Sequence, residues 1–169
     1  MNRFPRDVET SFVTGSYYYS VDLGGASVTA PIDAGIYLAK YNGAGNLQWT
    51  RSVAYETAGG GIGARGVAVD AAGNVAITGN ASGGVNFGSG QATYGDANIY
   101  VAKYGPQGGY LWAKRSSNVG RCAGFGLGID KDRNVLSTGF MQGEVNIDGL
   151  VTSSPGQQVK STFLLKISP

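Results

Sequence analysis

The chain has 169 residues, a length typical of one domain, and 42% of them are hydrophobic, which is enough for a packed core. A net charge of +2 is too small to indicate a nucleic-acid-binding surface. The sequence contains no histidine, which removes the commonest general base and the commonest zinc ligand. With one cysteine, Cys122, no internal disulfide can form, and we expect this side chain to be a small buried group.

Residues 1–62 form the first of three predicted repeats, in which short strands are separated by glycine-rich turns. Its segments that recur in the other repeats are "VTGSY" from Val13, "VDLGG" from Val21 and "GIYLAKYNGAGNLQW" from Gly35. A further strand should precede them near residues 3–6, but Pro5 lacks the N–H group that a sheet ladder needs. We therefore expect a degenerate first strand in this repeat.

Residues 63–123 form the second repeat, in which four predicted strands are clear. They are "GVAVD" ending at Asp70, "NVAITG" from Asn74, "IYVAKY" from Ile99 and "YLWAKR" from Tyr110. The segments "AAGN" and "GPQGG" supply the glycine and asparagine residues of tight hairpin turns. Both faces of "IYVAKY" are largely apolar, which is typical of a sheet packed between two other sheets.

Residues 124–169 form the third repeat. It contains "LGIDKDRNVLSTGF" from Leu127, "VNIDG" from Val145 and "TFLLKIS" from Thr162, and it lacks the last strand of the second repeat. Self-similarity over such a period indicates a repeat architecture, and a repeated four-stranded sheet covered on both faces is typical of a propeller blade. We therefore predict one all-β domain, residues 1–169, made of about three β-propeller blades.

The repeats closely resemble a bacterial family of β-propeller repeats that takes its name from seven-bladed propellers. Its units read roughly G-x-A-V-D-x-x-G-N-V-Y-V-T-G, then V-N-F-G, then D-x-F-V-A-K-Y-x-x-x-G-N-L-x-W. The second repeat matches them at Gly66–Gly79, Val85–Gly88 and Asn98–Trp112, and the other repeats match in part. The resemblance implies a propeller fold and an extracellular or cell-surface location, although the chain shows no signal peptide. It does not imply one particular activity.

Three blades alone are fewer than a closed propeller ring commonly contains, which is about four to eight. They would leave two outer sheet faces that stacked repeats must cover. Either two chains pair as the halves of a six-bladed ring, or the chain is a fragment of a larger propeller. The expected partners are a second copy or further repeats, together with a glycan or protein ligand. We expect no nucleic acid partner and no insertion into a membrane.

Three lysines are the first candidates for ligand binding. Lys40, Lys103 and Lys166 are 63 residues apart in each case, so they occupy one register position of the repeat. They would form a ring of positive charge near the propeller axis and bind an anion there. Alternatively, each lysine lies along its strand or pairs with a neighbouring aspartate.

Three tyrosines are the second candidates. Tyr17, Tyr18 and Tyr19 follow the first Thr-Gly pair, and the second repeat has no aromatic residue in this position. Exposed aromatic rings anchor sugars or protein partners. Alternatively, these rings cover the end of an incomplete sheet.

No residue set predicts catalysis, a metal site or a bound cofactor. The segment 130–134, "DKDRN", resembles the start of a calcium loop, but Val135 and Met141 stand where glycine and glutamate are needed, which favours a polar hairpin turn. Trp49 and Trp112 share one register position and should lie between blades. We predict a non-catalytic scaffold for recognition or assembly. The alternative is a hydrolase or lyase whose carboxylate, Lys and Tyr groups meet only when a ring closes.

Overall fold

The computed structural model describes residues 10–56, 60–90, 98–147, 149–156 and 158–168. Within these ranges the chain forms β-strands and no helix, which confirms the all-β prediction. The strands are β1 (Ser11–Asp22), β2 (Ser27–Tyr41), β3 (Leu47–Ala54), β4 (Gly61–Val69), β5 (Val75–Ser82), β6 (Asn98–Tyr104), β7 (Tyr110–Arg115), β8 (Ser117–Ile129), β9 (Val135–Ile147), β10 (Leu150–Ser153) and β11 (Lys160–Ile167). The degenerate strand expected near residues 3–6 lies outside the described residues.

The strands form three separate antiparallel sheets, none of which closes on itself. Sheet 1 has the order β1-β2-β3, and sheet 2 has the order β4-β5-β6-β7, as expected for the second repeat. Sheet 3 has the order β8-β9-β11, with β10 paired to the far half of β9. The described residues of sheet 3 include no counterpart of β7. Sheet 3 begins at Ser117, before the expected repeat boundary at 124, because β8 and β9 are longer than the pattern indicated.

Sheet 2 lies between the other two sheets, and side-chain alternation along β5 and β6 serves both contacts. Val75 and Ile77 of β5 join the core shared with sheet 1, whereas Ala76 between them joins the core shared with sheet 3. All three side chains are fully buried. Both faces of these strands are therefore apolar because each packs against another sheet, as the sequence predicted. No helix in the described part of the chain is both long and apolar enough to span a lipid bilayer.

The repeated Thr-Gly pair places a glycine opposite an aromatic residue of the neighbouring strand in every sheet. The three register pairs are Gly15–Tyr37, Gly79–Tyr100 and Gly139–Phe163. A ring that lies against glycine covers the backbone that the missing side chain leaves open. In sheet 2 the hydroxyl of Thr78 donates to the carbonyl of Tyr100 at 2.7 Å, and the Tyr100 hydroxyl donates to the carbonyl of Gly63 at 3.1 Å. Thr-Gly is thus a packing unit.

The second repeated element, valine followed by Asp or Asn, has the same turn in each repeat but a different setting. The side chains of Asp22 and Asn86 each accept a hydrogen bond from the N–H of the glycine two residues on, as in Asx turns, and that of Asn146 accepts one from Gly149, three residues on. In sheets 1 and 3 this turn closes a hairpin extension, which in sheet 3 includes the unexpected strand β10. In sheet 2, Val85 instead forms an isolated bridge with Tyr55 of sheet 1.

Candidate functional site

Two of the three candidate lysines form ion pairs with aspartates of their own sheets. Lys103 Nζ lies 3.2 Å from a carboxylate oxygen of Asp70, and these side chains are only 4% and 3% exposed. Lys166 Nζ lies 3.0 Å from Asp130, but its side chain is 55% exposed. Lys40 Nζ donates instead to the carbonyl of Pro106 at 3.3 Å, in the β6–β7 turn of sheet 2. Each of the three lysines thus has a protein partner, two of them an aspartate and one a backbone carbonyl.

Asp70 and Asp130 also organise the hairpin turns that follow β4 and β8. One carboxylate oxygen of Asp130 accepts the N–H groups of Asp132 and Asn134, and the Asn134 side-chain amide donates to both oxygens at 3.0 and 2.8 Å. Asp70 makes the same contacts with Ala72 and Asn74. The calcium-like segment 130–134 is therefore a polar hairpin turn whose carboxylate already accepts protein hydrogen bonds.

Acid should weaken these turns. The Asn134 amide, together with the Lys166 ammonium, lowers the pKa of Asp130 from 3.8 to about 2. Burial alone would raise the pKa of Asp70, but hydrogen bonds from Asn74 and the Lys103 contact outweigh it and lower the pKa. Because a carboxyl group with a depressed folded-state pKa stabilises the fold only while it is ionised, this stability is complete well above pH 3.8 and is lost as the pH falls towards 2.

Urea unfolding at a series of pH values tests this expectation. The free energy of unfolding of the native chain should fall more steeply over this acidic window than that of Asp130→Asn, which has no carboxyl group to protonate there. Parallel pH profiles of the two proteins would contradict the assignment.

The three candidate tyrosines have different environments. Tyr17 is buried, and its hydroxyl lies 2.6 Å from the Ser52 hydroxyl of β3, so it is a packing residue. Tyr18 and Tyr19 are 75% and 71% exposed. The β1–β2 register shifts between Tyr18 and Ser20, and Tyr19 has a φ of +60°, a conformation that bulky residues rarely adopt. Such an exposed and strained position is typical of sites kept for a purpose other than stability.

A cleft of about 630 Å³ lies between sheets 1 and 2. Four aromatic residues are among those that line it, namely Tyr55, Phe87, Tyr104 and Tyr110, and the first three are at most 5% exposed. Tyr104 is fixed by a 3.0 Å hydrogen bond from its hydroxyl to the Phe87 carbonyl. The Arg51 guanidinium donates to the carbonyl of Gly108 across the two sheets, while the carboxylate-bearing residue Glu56 is exposed at the wall. The cleft thus combines charged groups with the edges of largely buried aromatic side chains.

Tyr18 is the register partner of Ala34, which joins the same core cluster as Tyr55 of the cleft. Burial raises the pKa of the Tyr55 phenol, a hydrogen bond with the Ile62 backbone opposes this, and the charges of Tyr18 and Asp33 raise the pKa further. Asp33 is exposed and adjoins Ala34, the register partner of Tyr18. Tyr18 therefore lies on the face of sheet 1 that packs on sheet 2, and Asp33 adjoins its register partner. Sequence analysis did not find the cleft, because its residues come from non-equivalent positions of two repeats.

The remaining predicted positions have packing roles. Trp49 and Trp112 are partly buried against the two inter-sheet cores, as expected, and Trp49 Nε1 also donates to the Pro106 carbonyl at 3.0 Å. Cys122 is buried, and this burial raises the pKa of its thiol. Among the described residues, no three cysteine or acidic side chains come together as a metal-binding group.

The fold and these sites define an all-β protein of stacked antiparallel sheets. No model of a known protein family matches the chain, and no curated protein shows significant similarity to it.

Proposed function

We propose that the chain is a non-catalytic recognition scaffold, built of consecutive β-propeller blades, that binds a glycan in the cleft between sheets 1 and 2. The observation that carries the proposal is a cleft between sheets 1 and 2 with Tyr55, Phe87, Tyr104 and Tyr110 in its lining, together with the exposed Tyr18 and Tyr19 of sheet 1. Concave sites with aromatic walls and a few polar groups are the usual form of ligand sites. The resemblance of the repeats to bacterial propeller repeats adds a cell-surface or extracellular location to this proposal.

A carbohydrate fits this combination of groups. Sugar rings present C–H groups on their flat faces and hydroxyl groups around their edges. Tyrosine offers a flat apolar ring with a polar tip, and exposed rings lose little conformational entropy when a ligand covers them. The carboxylates of Asp33 and Glu56 are exposed and can accept hydrogen bonds from sugar hydroxyls.

The non-catalytic part of the proposal is supported by the contacts of the charged side chains. Asp70 and Asp130 are held by turn amides and by Lys103 and Lys166. Groups engaged in this way maintain hairpin turns and are poorly placed to transfer protons to a substrate.

Glycan-array screening, followed by calorimetric titration of the best ligand, tests the proposal. We expect specific binding that Tyr18→Ala weakens about tenfold, since a central aromatic contact is typically worth more than 1 kcal/mol. Leu150→Ala is the matched control, because Leu150 is 63% exposed but lies in the β10 hairpin of sheet 3. An array without binding, or equal losses in both variants, would overturn the proposal.

Tyr19→Gly separates a recognition role from a packing role. Glycine adopts a φ of +60° without the strain that tyrosine has there, so the variant should be at least as stable as the native chain. If Tyr19 is kept for recognition, the same variant should bind the glycan more weakly. A clear loss of stability in urea unfolding would show instead that the ring packs against the fold.

A further inference from the structure

One equivalent strand position is buried in sheets 1 and 2 but exposed in sheet 3. Leu38, Val101 and Leu164 each lie two residues before the repeated lysine, on the same strand face as that lysine. Leu38 and Val101 are each only 1% exposed, because sheets 2 and 3 cover them, whereas Leu164 is 71% exposed. We call this strand face the lysine face. On sheet 3 it is the outer surface of the stack.

On the opposite strand face, one equivalent position is exposed in sheet 1 and buried in sheets 2 and 3. Val13, Ile77 and Ser137 each lie immediately before the threonine of the repeated Thr-Gly pair. Ile77 and Ser137 are fully buried by the preceding sheet, but Val13 is 41% exposed on the outer surface of sheet 1. We call this strand face the aromatic face, since Tyr37 and Tyr100 lie on it. Within the described ranges, no sheet packs on the aromatic face of sheet 1, where Val13 is exposed although Tyr17 and Ala39 are buried, or on the lysine face of sheet 3.

Within the chain, a lysine face always packs on the aromatic face of the next sheet, and the contacts recur. Leu38 of sheet 1 and Tyr100 of sheet 2 share one core, and Val101 of sheet 2 and Leu165 of sheet 3 share the other. In both contacts the lysine also reaches a backbone carbonyl in a turn of the next sheet, Lys40 that of Pro106 and Lys103 that of Arg133. The chain thus contains two examples of one interface.

We propose that the lysine face of sheet 3 packs on the aromatic face of sheet 1 of a second copy of this chain, and reciprocally. The two uncovered faces are the two halves of the interface that the chain already uses twice. Each copy offers both faces, so the two chains meet through two equivalent contacts, and neither face remains available to a third copy. In this pair Leu164 and Val13 become buried, as Leu38 and Ile77 are within one chain. The inference does not depend on the glycan proposal.

Light scattering on a sizing column, over a wide range of protein concentrations, tests the inference. We expect a mass of twice 17.4 kDa for the native chain. Leu164→Glu and Val13→Glu should each give a monomer, since each places a charge in both equal contacts. Leu111→Glu is the matched control: Leu111 is 49% exposed on β7 of sheet 2, which takes no part in the proposed contact.

Urea unfolding of each variant establishes that a monomer is a folded one. Leu164 and Val13 are exposed in the single chain, so both variants should remain folded. A native chain that is monomeric at all concentrations would overturn the inference. A dimer that survives both substitutions would overturn it too, because the copies would then meet through another surface. An assembly that grows beyond two copies would exclude the closed pair.

Discussion

Replacing Gly79 by alanine should lower the free energy of unfolding by about 3 kcal/mol or more, the largest effect we expect from a single methyl group in this chain. An added Cβ would overlap the carbonyl oxygen of Gly63 on β4 and would lie 3.0 Å from the Tyr100 hydroxyl. Both groups are held by the hydrogen bond between them, and the position lies at the centre of the middle sheet. The Gly63 carbonyl cannot move without disturbing the β4–β5 ladder, and the Tyr100 hydroxyl cannot move without losing its hydrogen bond.

Gly128→Ala is the control for this substitution. Gly128 also lies within a strand, β8, but no atom lies within 4 Å of the position that its Cβ would occupy. We expect its free energy of unfolding to change by less than about 0.5 kcal/mol. Urea unfolding of both variants, followed by tyrosine and tryptophan fluorescence, measures the difference. Equal and small effects would contradict the view that the Thr-Gly pair is repeated for packing.

Lys103→Met should cost about 3 kcal/mol of stability, the second large effect that we expect. It leaves the Asp70 carboxylate buried without its cation, since the two side chains are almost completely shielded from water. Lys166→Met removes the equivalent lysine from an exposed pair and should cost only a small fraction of that, because exposed ion pairs contribute little. Chemical unfolding of both variants near neutral pH makes the comparison.

The double variant Lys103→Met with Asp70→Asn tests the cause of the loss. It removes both buried charges but keeps a side-chain oxygen for the N–H groups of Ala72 and Asn74. It should therefore be more stable than Lys103→Met alone. If the two proteins were equally unstable, the loss would come from packing of the lysine stem rather than from an uncompensated carboxylate.

Much of the fold could be predicted from the sequence because the same strand and turn patterns recur in the repeats. The strand patterns of the second repeat predicted β4 to β7 in order, and the apolar residues on both faces of "IYVAKY" predicted a sheet covered on both sides. The long β1–β2 hairpin and strand β10 were missed, because the Val-Asp and Val-Asn elements look alike in the sequence. Whether such an element extends a hairpin or, like Val85, bridges to the preceding sheet depends on tertiary contacts.

The candidate site was less predictable than the fold. The sequence marked Tyr18 and Tyr19 because they depart from the repeat, but it could not separate them from the buried Tyr17 beside them. Lys40, Lys103 and Lys166 looked equivalent, yet only the structure shows that Lys103 is buried with Asp70 and that Lys40 reaches another sheet. No sequence pattern could predict the cleft, since Arg51, Phe87 and Tyr110 occupy non-equivalent positions of their repeats.

The two complementary faces of each sheet also bear on how such a chain changes in evolution. A duplicated sheet inserted anywhere in the stack meets the same pair of surfaces that its parent met, so a gain or loss of one unit requires no new interface. The turn position of Gly73, with a φ of +80°, is occupied by Arg133 with a φ of +66° in the next unit. The ancestry of the chain is therefore easiest to trace in its buried strands, while its loops are free to acquire new specificities.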